Sequence, residues 1–325
     1  MTAVPWGISK AQARTIRLAW LGVLLITGLW AWLAVVGAEQ LHEEGFLWPV
    51  IWNGEGTNVG IPLLTVVAVL LAAERLWPAV KRPFFCRAHV VDATYLLLFA
   101  VAAMPVVTLA SVGVSSEVSA HAPFLFLGRL PLVPQVVAVA AILVGNDGLL
   151  WLSHVANHRF ETLWRLHALH HSQEDMSVLT TFRTHPLIHA TYLPALLPGL
   201  LLVSTGQVPR TAWVVYGCLV TLPHANLRWR LGPLGRVVVS PAYHRLHHAR
   251  DLGLKGTVNF GFVLVLWDRL ARRAEFPSGE PVPTGIGGRT VPVEQAPLTG
   301  RRLPLVVFAQ LVQPFQPYSA TDWRK

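Results

Sequence analysis

An apolar run from Leu132 to Trp151 passes without a break into a stretch crowded with histidine, Asp147 to Ser172. About 20 apolar residues are what a helix needs to cross a hydrocarbon core, so this run constrains the fold more than any other feature. Leu18–Ala38, Gly60–Trp77 and Ala93–Ser115 are runs of the same kind. Leu187–Val203 and Thr211–Leu222 are shorter and rich in proline, which suits a tight spanning hairpin or a re-entrant pair. Only 13% of the 325 residues are charged and 53% are hydrophobic, against roughly 25% charged in a soluble domain. This balance argues against a soluble fold. The expected architecture is all-α, a polytopic, multi-pass integral membrane helical bundle.

The basic residues are spread between the apolar runs, as juxtamembrane anchors are. A nucleic-acid partner is not expected despite the net charge of +9, because no supporting motif occurs. Apart from Arg129 and Arg210, the Lys and Arg residues fall on one side of the expected membrane, which the positive-inside rule makes cytoplasmic. The histidine stretch lies on that side. Leu18–Ala38 ends in VVGAEQ, but its apolar core exceeds the 7–15 residues usual in a signal peptide, so a retained anchor is expected. The chain divides into N-terminal transmembrane helices (1–131), a histidine-bearing domain with a membrane hairpin (132–276) and a Pro/Gly-rich C-terminal segment (277–325). Cys86 and Cys218 form neither a CxxC pair nor a disulfide framework.

His154 and His158 are four apart and stack on one helix face. His167, His170 and His171 form an HxxHH motif, and His244, His247 and His248 form a second. With 14 histidines in the chain, chance predicts far fewer than two such matches. Neutral imidazole is a good ligand for iron, copper, zinc and nickel. Three residues at i, i+3 and i+4 can hold one ion from one face of one helix, and two such triads with the His154/His158 pair offer more nitrogen than one tetrahedral metal needs, which points to two metals. His224, in LPHANLR, is placed to be a ninth ligand. His185 and His189 lie four apart before an apolar run, where a cap suits them as well as ligation. His42, His89 and His121 stand alone and read as structural.

Asp147 is the remaining site candidate. Positions 147, 151, 154 and 158 follow one helical stripe, and an ionisable group inside an apolar run is costly and usually functional. Its expected role is to orient a ligand imidazole or to offset cationic charge.

HVANH, HALHHS and HRLHH, with Asp147 seven residues before the first histidine, HAN at 224–226, NFG at 259–261 and WDRL at 267–270, resemble the fatty acid hydroxylase/sterol desaturase superfamily. The resemblance covers Leu132 to Leu270. It implies a membrane non-haem enzyme with two iron ions that uses O₂ to hydroxylate or desaturate a C–H bond of a lipid, such as a fatty acyl chain or sterol, drawn from the bilayer. It also implies a separate electron donor, cytochrome b5-like or a ferredoxin with its reductase. The ligand boxes carry over to His154, His158, His167, His170, His171, His224, His244, His247 and His248. Departures are Val155 where the family commonly has Arg, and Ala271-Arg272-Arg273 where FGT is usual. Arg228 stands where some members have a further histidine, which leaves a tenth position to water, His185 or Asn226.

Two competing readings use the same ligands, a non-catalytic membrane metal-binding protein and a haem protein. His154 and His167, like His158 and His171, are thirteen apart, a spacing seen where haems stack in helical bundles. A zinc peptidase is disfavoured because neither HExxH nor HxxEH occurs.

Overall fold

The longest helix, α4 (Leu132–Arg159), carries the apolar run and the first two histidines in one continuous rod. It extends about 42 Å at 1.5 Å per residue. Among the described residues it is the one helix long and apolar enough to cross a membrane. The structure, a computed structural model, describes residues 39, 60–83, 86–125, 127–189, 191, 192, 195, 198, 207–250, 258–286 and 303–316. The run Leu18–Ala38 and most of Leu187–Val203 lie outside them. The described residues are helical, with isolated β-bridges and no longer strand.

Before α4 come α1 (Gly60–Leu76), α2 (Arg87–Leu98) and α3 (Met104–His121). The expected run Ala93–Ser115 is therefore two helices joined by a π-turn at Phe99–Ala103. Pro105 explains the break, since its ring would collide with the carbonyl four residues back and it has no N–H to donate. Val67, Leu70 and Ala73 of α1 pack on Val178, Leu179, Phe182, Ala225 and Leu227. That contact sets the loop after the first HxxHH beside the HAN segment.

Phe160 adopts an extended backbone (φ −99°, ψ 126°), which ends α4 and lets α5 (Glu161–His171) fold back against it. An i,i+4 pair from Arg165 to Glu161 (3.2 Å) supports the first turn of α5. The next helix, α6 (Gln207–Thr221), packs on α4 and α1 and runs into a 3₁₀ turn at Leu222–His224. The second HxxHH lies on α7 (Pro241–His247), with His248 as its C-cap. Ser240 caps the N-terminus, its Oγ accepting from the Tyr243 N–H at 3.2 Å, and Pro241 takes the first helical position, where no N–H is needed.

The apolar segment NFGFVLVLWDRL is a paired loop. Val238 bridges Leu264, the Val239 N–H donates to the Val263 carbonyl (2.8 Å), and only Leu266–Leu270, α8, is helical. Near the end, LPLVVFAQL forms α9 (Leu303–Val312). Its Val307 packs on Trp164, Ala168 and Leu169, and its Gln310 accepts from the Tyr95 hydroxyl at 2.9 Å.

Candidate metal centre

The nine histidines singled out from the sequence come together in two groups. His154, His158, His167, His171 and His247 form one; His170, His224, His244 and His248 form the other. Within each group the ring nitrogens lie within 4.8 Å of one another, and all nine residues are between 1 and 7% exposed.

The partition cuts across both boxes. Each HxxHH triad is divided, so neither holds one ion from one face. His167 and His171 join the first group while His170 turns to the second. On α7, His244 and His248 belong to the second group and His247 to the first. The reason is angular. Residues four apart differ by about 40° around a helix axis, whereas adjacent residues differ by about 100°. The paired histidines of each box thus straddle the seam between two sites.

The Nε2 atoms face inward. In the first group His154 lies 3.1 Å from His167 and 3.0 Å from His247, with His171 3.2 Å from His167. In the second, His224 lies 2.9 Å from His170 and 3.1 Å from His244, and His248 is 3.2 Å from His244. His154 Nδ1 is 2.9 Å from the Phe260 carbonyl and His247 Nδ1 is 2.8 Å from that of Val258. A carbonyl only accepts, so both Nδ1 atoms carry the proton, and in the neutral ring Nε2 is then a bare lone pair. Two lone pairs facing each other at 3.0 Å repel unless a cation lies between them. Two imidazole nitrogens each about 2.1 Å from one ion and at right angles to each other would stand about 3.0 Å apart. The donor set therefore fits a metal in each group.

Burial keeps the imidazoles neutral. It pushes His167, His171, His224, His244, His247 and His248 well below the ordinary histidine value and takes His170 down to about 3. Neutral rings keep the lone pair that a metal requires. A haem does not suit this arrangement. Axial nitrogens on opposite sides of an iron would stand about 4 Å apart with a porphyrin between them, and His154 and His167 are closer than that.

The other candidates lie elsewhere. His185 is occupied at both nitrogens, Nε2 with the Leu311 carbonyl (3.0 Å) and Nδ1 with the Leu187 N–H (3.2 Å). Asn226 is likewise engaged, its Oδ1 accepting from the Val80 N–H and Arg245 Nη2 while Nδ2 donates to the Val80 carbonyl. Neither is placed to be a tenth ligand. Asp147 is buried, but it does not meet an imidazole as expected. Its Oδ1 accepts from the Tyr216 hydroxyl (2.8 Å) and the Val263 N–H (3.1 Å), and its Oδ2 accepts from the Leu264 N–H (3.2 Å). A free N–H in the following loop is a better partner for a carboxylate than a ring whose Nδ1 is already bonded to a carbonyl.

Backbone carbonyls orient the rings, and a set of polar residues that sequence reasoning did not assign holds those carbonyls. Asp268, the acid of WDRL, binds four donors. Its Oδ1 accepts from Trp151 Nε1 and the Phe260 N–H, and its Oδ2 accepts from the Tyr243 hydroxyl and the Gly261 N–H. Asn259 sits at φ 59° and bonds the backbone of Tyr243 and Glu275. At Gly261 a Cβ would come within 2.7 Å of the Leu264 carbonyl and 2.9 Å of Val239 Cγ2. The NFG motif is thus a left-handed turn, a ring laid against His154, His158 and His247, and a close backbone approach. Asp92 and Arg183 form a fully buried pair (3.1 Å), and Arg183 also donates to the Leu169 carbonyl and Ser172 Oγ on either side of His170 and His171. Glu74 accepts from the Val178 and Asn226 N–H groups, with Arg82 Nη2 3.9 Å from its Oε2. The signal that marked Asp147, an ionisable residue at or in an apolar run of a sparsely charged chain, also marks Glu74 and Asp92.

Comparison with known proteins agrees with this site. The fatty acid hydroxylase family profile matches residues 139–272. Over 187 residues the chain is 33% identical to ornithine lipid hydroxylase OlsE of Rhizobium tropici, covering 57% of this chain and 51% of that one. It is 29% identical over 132 residues to alkylglycerol monooxygenase of Caenorhabditis elegans and 29% identical over 133 residues to that of Homo sapiens. Those matches cover 38% and 40% of this chain and 24% and 29% of theirs. The chain thus spans about half the length of the first relative and about a quarter of the others. No solved structure matches it. Every candidate histidine falls inside the matched segment, and that segment is similar to the fatty acid hydroxylase family.

Proposed function

We propose that this protein is an integral membrane, di-iron, O₂-dependent lipid hydroxylase, with the two histidine groups as its ligand sets. The observation that carries the proposal is the inward convergence of nine buried imidazoles, with two lone pairs opposed at 3.0 Å, inside the segment shared with lipid-oxidising relatives. Iron bound there supplies the O₂ and electron-transfer chemistry, and the protein supplies ligands, orientation and a dry pocket. The balanced reaction takes C–H, O₂, two electrons and two protons to C–OH and water, with the electrons coming from a separate donor protein. The names of the relatives denote oxygen insertion, which favours hydroxylation over desaturation.

The chain's own residues divide the work in this proposal. The nine histidines hold the metals. Phe260 and Val258 carbonyls fix the tautomers of His154 and His247, so that Nε2 is the ligating atom. Asp268 and Asp147 pin the loop that carries Phe260, and Asp147 acts as a positioning residue. At the other end, α4 crosses the bilayer as one of several spans and delivers His154 and His158 to the cytoplasmic face. Lys81, Arg82, Arg228, Arg230 and Arg236 mark that face by the positive-inside rule.

The test is the purified full chain in lipid nanodiscs, assayed for metal content and for ¹⁸O in the product. Two irons per chain and ¹⁸O from ¹⁸O₂ in a hydroxylated lipid are expected. Product oxygen drawn from water, or turnover without iron, would end this reading. Asp147→Asn places an amide N–H against the Leu264 N–H, so it is expected to keep the metals, lose about 1–3 kcal/mol of stability and slow turnover. Unchanged turnover and melting temperature would remove Asp147 from the site.

A further inference from the structure

Against α7 lies a cavity of about 90 Å³ lined by Arg228, Arg230 and Arg245 and by the segment Pro277–Val282. Arg245 stands between the ligands His244 and His247 in sequence and is 4% exposed. Its Nη2 donates to Asn226 Oδ1 at 2.8 Å, but its Nε–H has no acceptor among the described residues. A buried guanidinium with an unmet donor is costly, and the penalty exceeds that of a neutral group. The two other arginines are held loosely. Arg228 pairs with Glu280 at 3.3 Å, with side chains 59% and 83% exposed, and Arg230 donates to the Gly279 carbonyl at 2.7 Å. Three cations and one carboxylate leave the cavity at +2, and an exposed ion pair such as Arg228–Glu280 contributes little and is readily displaced.

We infer that this cavity binds a single oxyanion, a phosphate group, with Arg245 Nε at its buried end and Arg228 and Arg230 at its mouth. The volume suits that ligand. A water molecule needs roughly 10–15 Å³, so about 90 Å³ accommodates a tetrahedral oxyanion but not an acyl chain. Guanidinium groups match phosphate with paired, charge-assisted hydrogen bonds. Glu280 occupies the mouth as a competitor for Arg228. Because Arg245 shares α7 with His244 and His247, filling the cavity bears on the helix that serves both metal groups. The phosphate has two possible sources, a free anion or a lipid headgroup at the membrane face.

The experiment is calorimetric titration of the full chain in phosphatidylcholine nanodiscs with inorganic phosphate, and separately with dihexanoyl phosphatidic acid, at constant ionic strength set by chloride. Saturable binding is expected, at least tenfold weaker in Arg245→Lys and in Arg230→Gln and several-fold tighter in Glu280→Gln. Arg230 and Glu280 are surface residues, so these two variants test the site even if Arg245→Lys does not fold. Tenfold tighter binding of the phosphatidic acid identifies a headgroup site; equal affinity identifies a free-anion site. No saturable binding of either probe, or binding unmoved by Arg230→Gln and Glu280→Gln, overturns the inference.

Discussion

His170→Ala and His171→Ala, although adjacent, are expected to strip different metals. His171 belongs with His154, His158, His167 and His247, and His170 with His224, His244 and His248. Loss of His171 leaves four imidazoles in its group, whereas loss of His170 leaves three, so His170→Ala should release its metal more completely. Iron-57 Mössbauer spectra of the loaded protein should show two environments, one lost in each variant. His247→Ala should behave like His171→Ala, and His248→Ala like His170→Ala. Both classes should lower turnover by more than the 10–100-fold typical of changes that only disturb the surroundings of a ligand. If His170→Ala and His171→Ala lose the same spectral component, the division of the triads is wrong.

Asp92→Ala is expected to cost about 3–5 kcal/mol, because it leaves the Arg183 guanidinium buried without its anion. Asp92 and Arg183 are both fully buried, and the Asp92 carboxylate also accepts from Gln173 and Thr180. The bonds from Arg183 to the Leu169 carbonyl and Ser172 Oγ tie this network to the C-terminal turn of α5. Iron content should therefore fall together with stability. The double variant Asp92→Leu/Arg183→Met removes both charges and should recover most of the stability, while iron affinity stays low because the α5 turn has lost its tether. Denaturant titration and iron analysis of the two variants and the parent distinguish these outcomes. An Asp92→Ala protein as stable as its parent would show that the pair does not hold α5.

Local pattern reached as far as one helix at a time. The apolar run through Leu132–Trp151 requires a long helix, and His154 and His158 follow on the same stripe because both lie within it. Hydrophobic period and histidine spacing are properties of a single segment, so they singled out eight of the imidazoles, and the place of His224 in LPHANLR added the ninth. They could not assign the middle histidine of each box. An HxxHH motif presents about 100° of helix surface, and whether that arc faces one site or two depends on the neighbouring helices. His224 reaches the seam only because α6 stops at Leu222–His224, and His247 reaches His154 only because the 258–265 loop sets α7 against α4.

Chemical identity alone therefore determined that this chain would gather imidazoles at the end of a long apolar helix, since eight histidines at helical spacing in so weakly charged a sequence have few other uses. Tertiary structure decided how they are shared, that His185 and Asn226 are occupied elsewhere, and that Asp147 holds a loop instead of a ring. It also decided which acids and bases support the site. Hydrogen bonds such as Asp92 to Arg183 and Asp268 to Trp151 join residues 91 and 117 positions apart. Their partners are selected by distance in space, and sequence spacing carries no record of it.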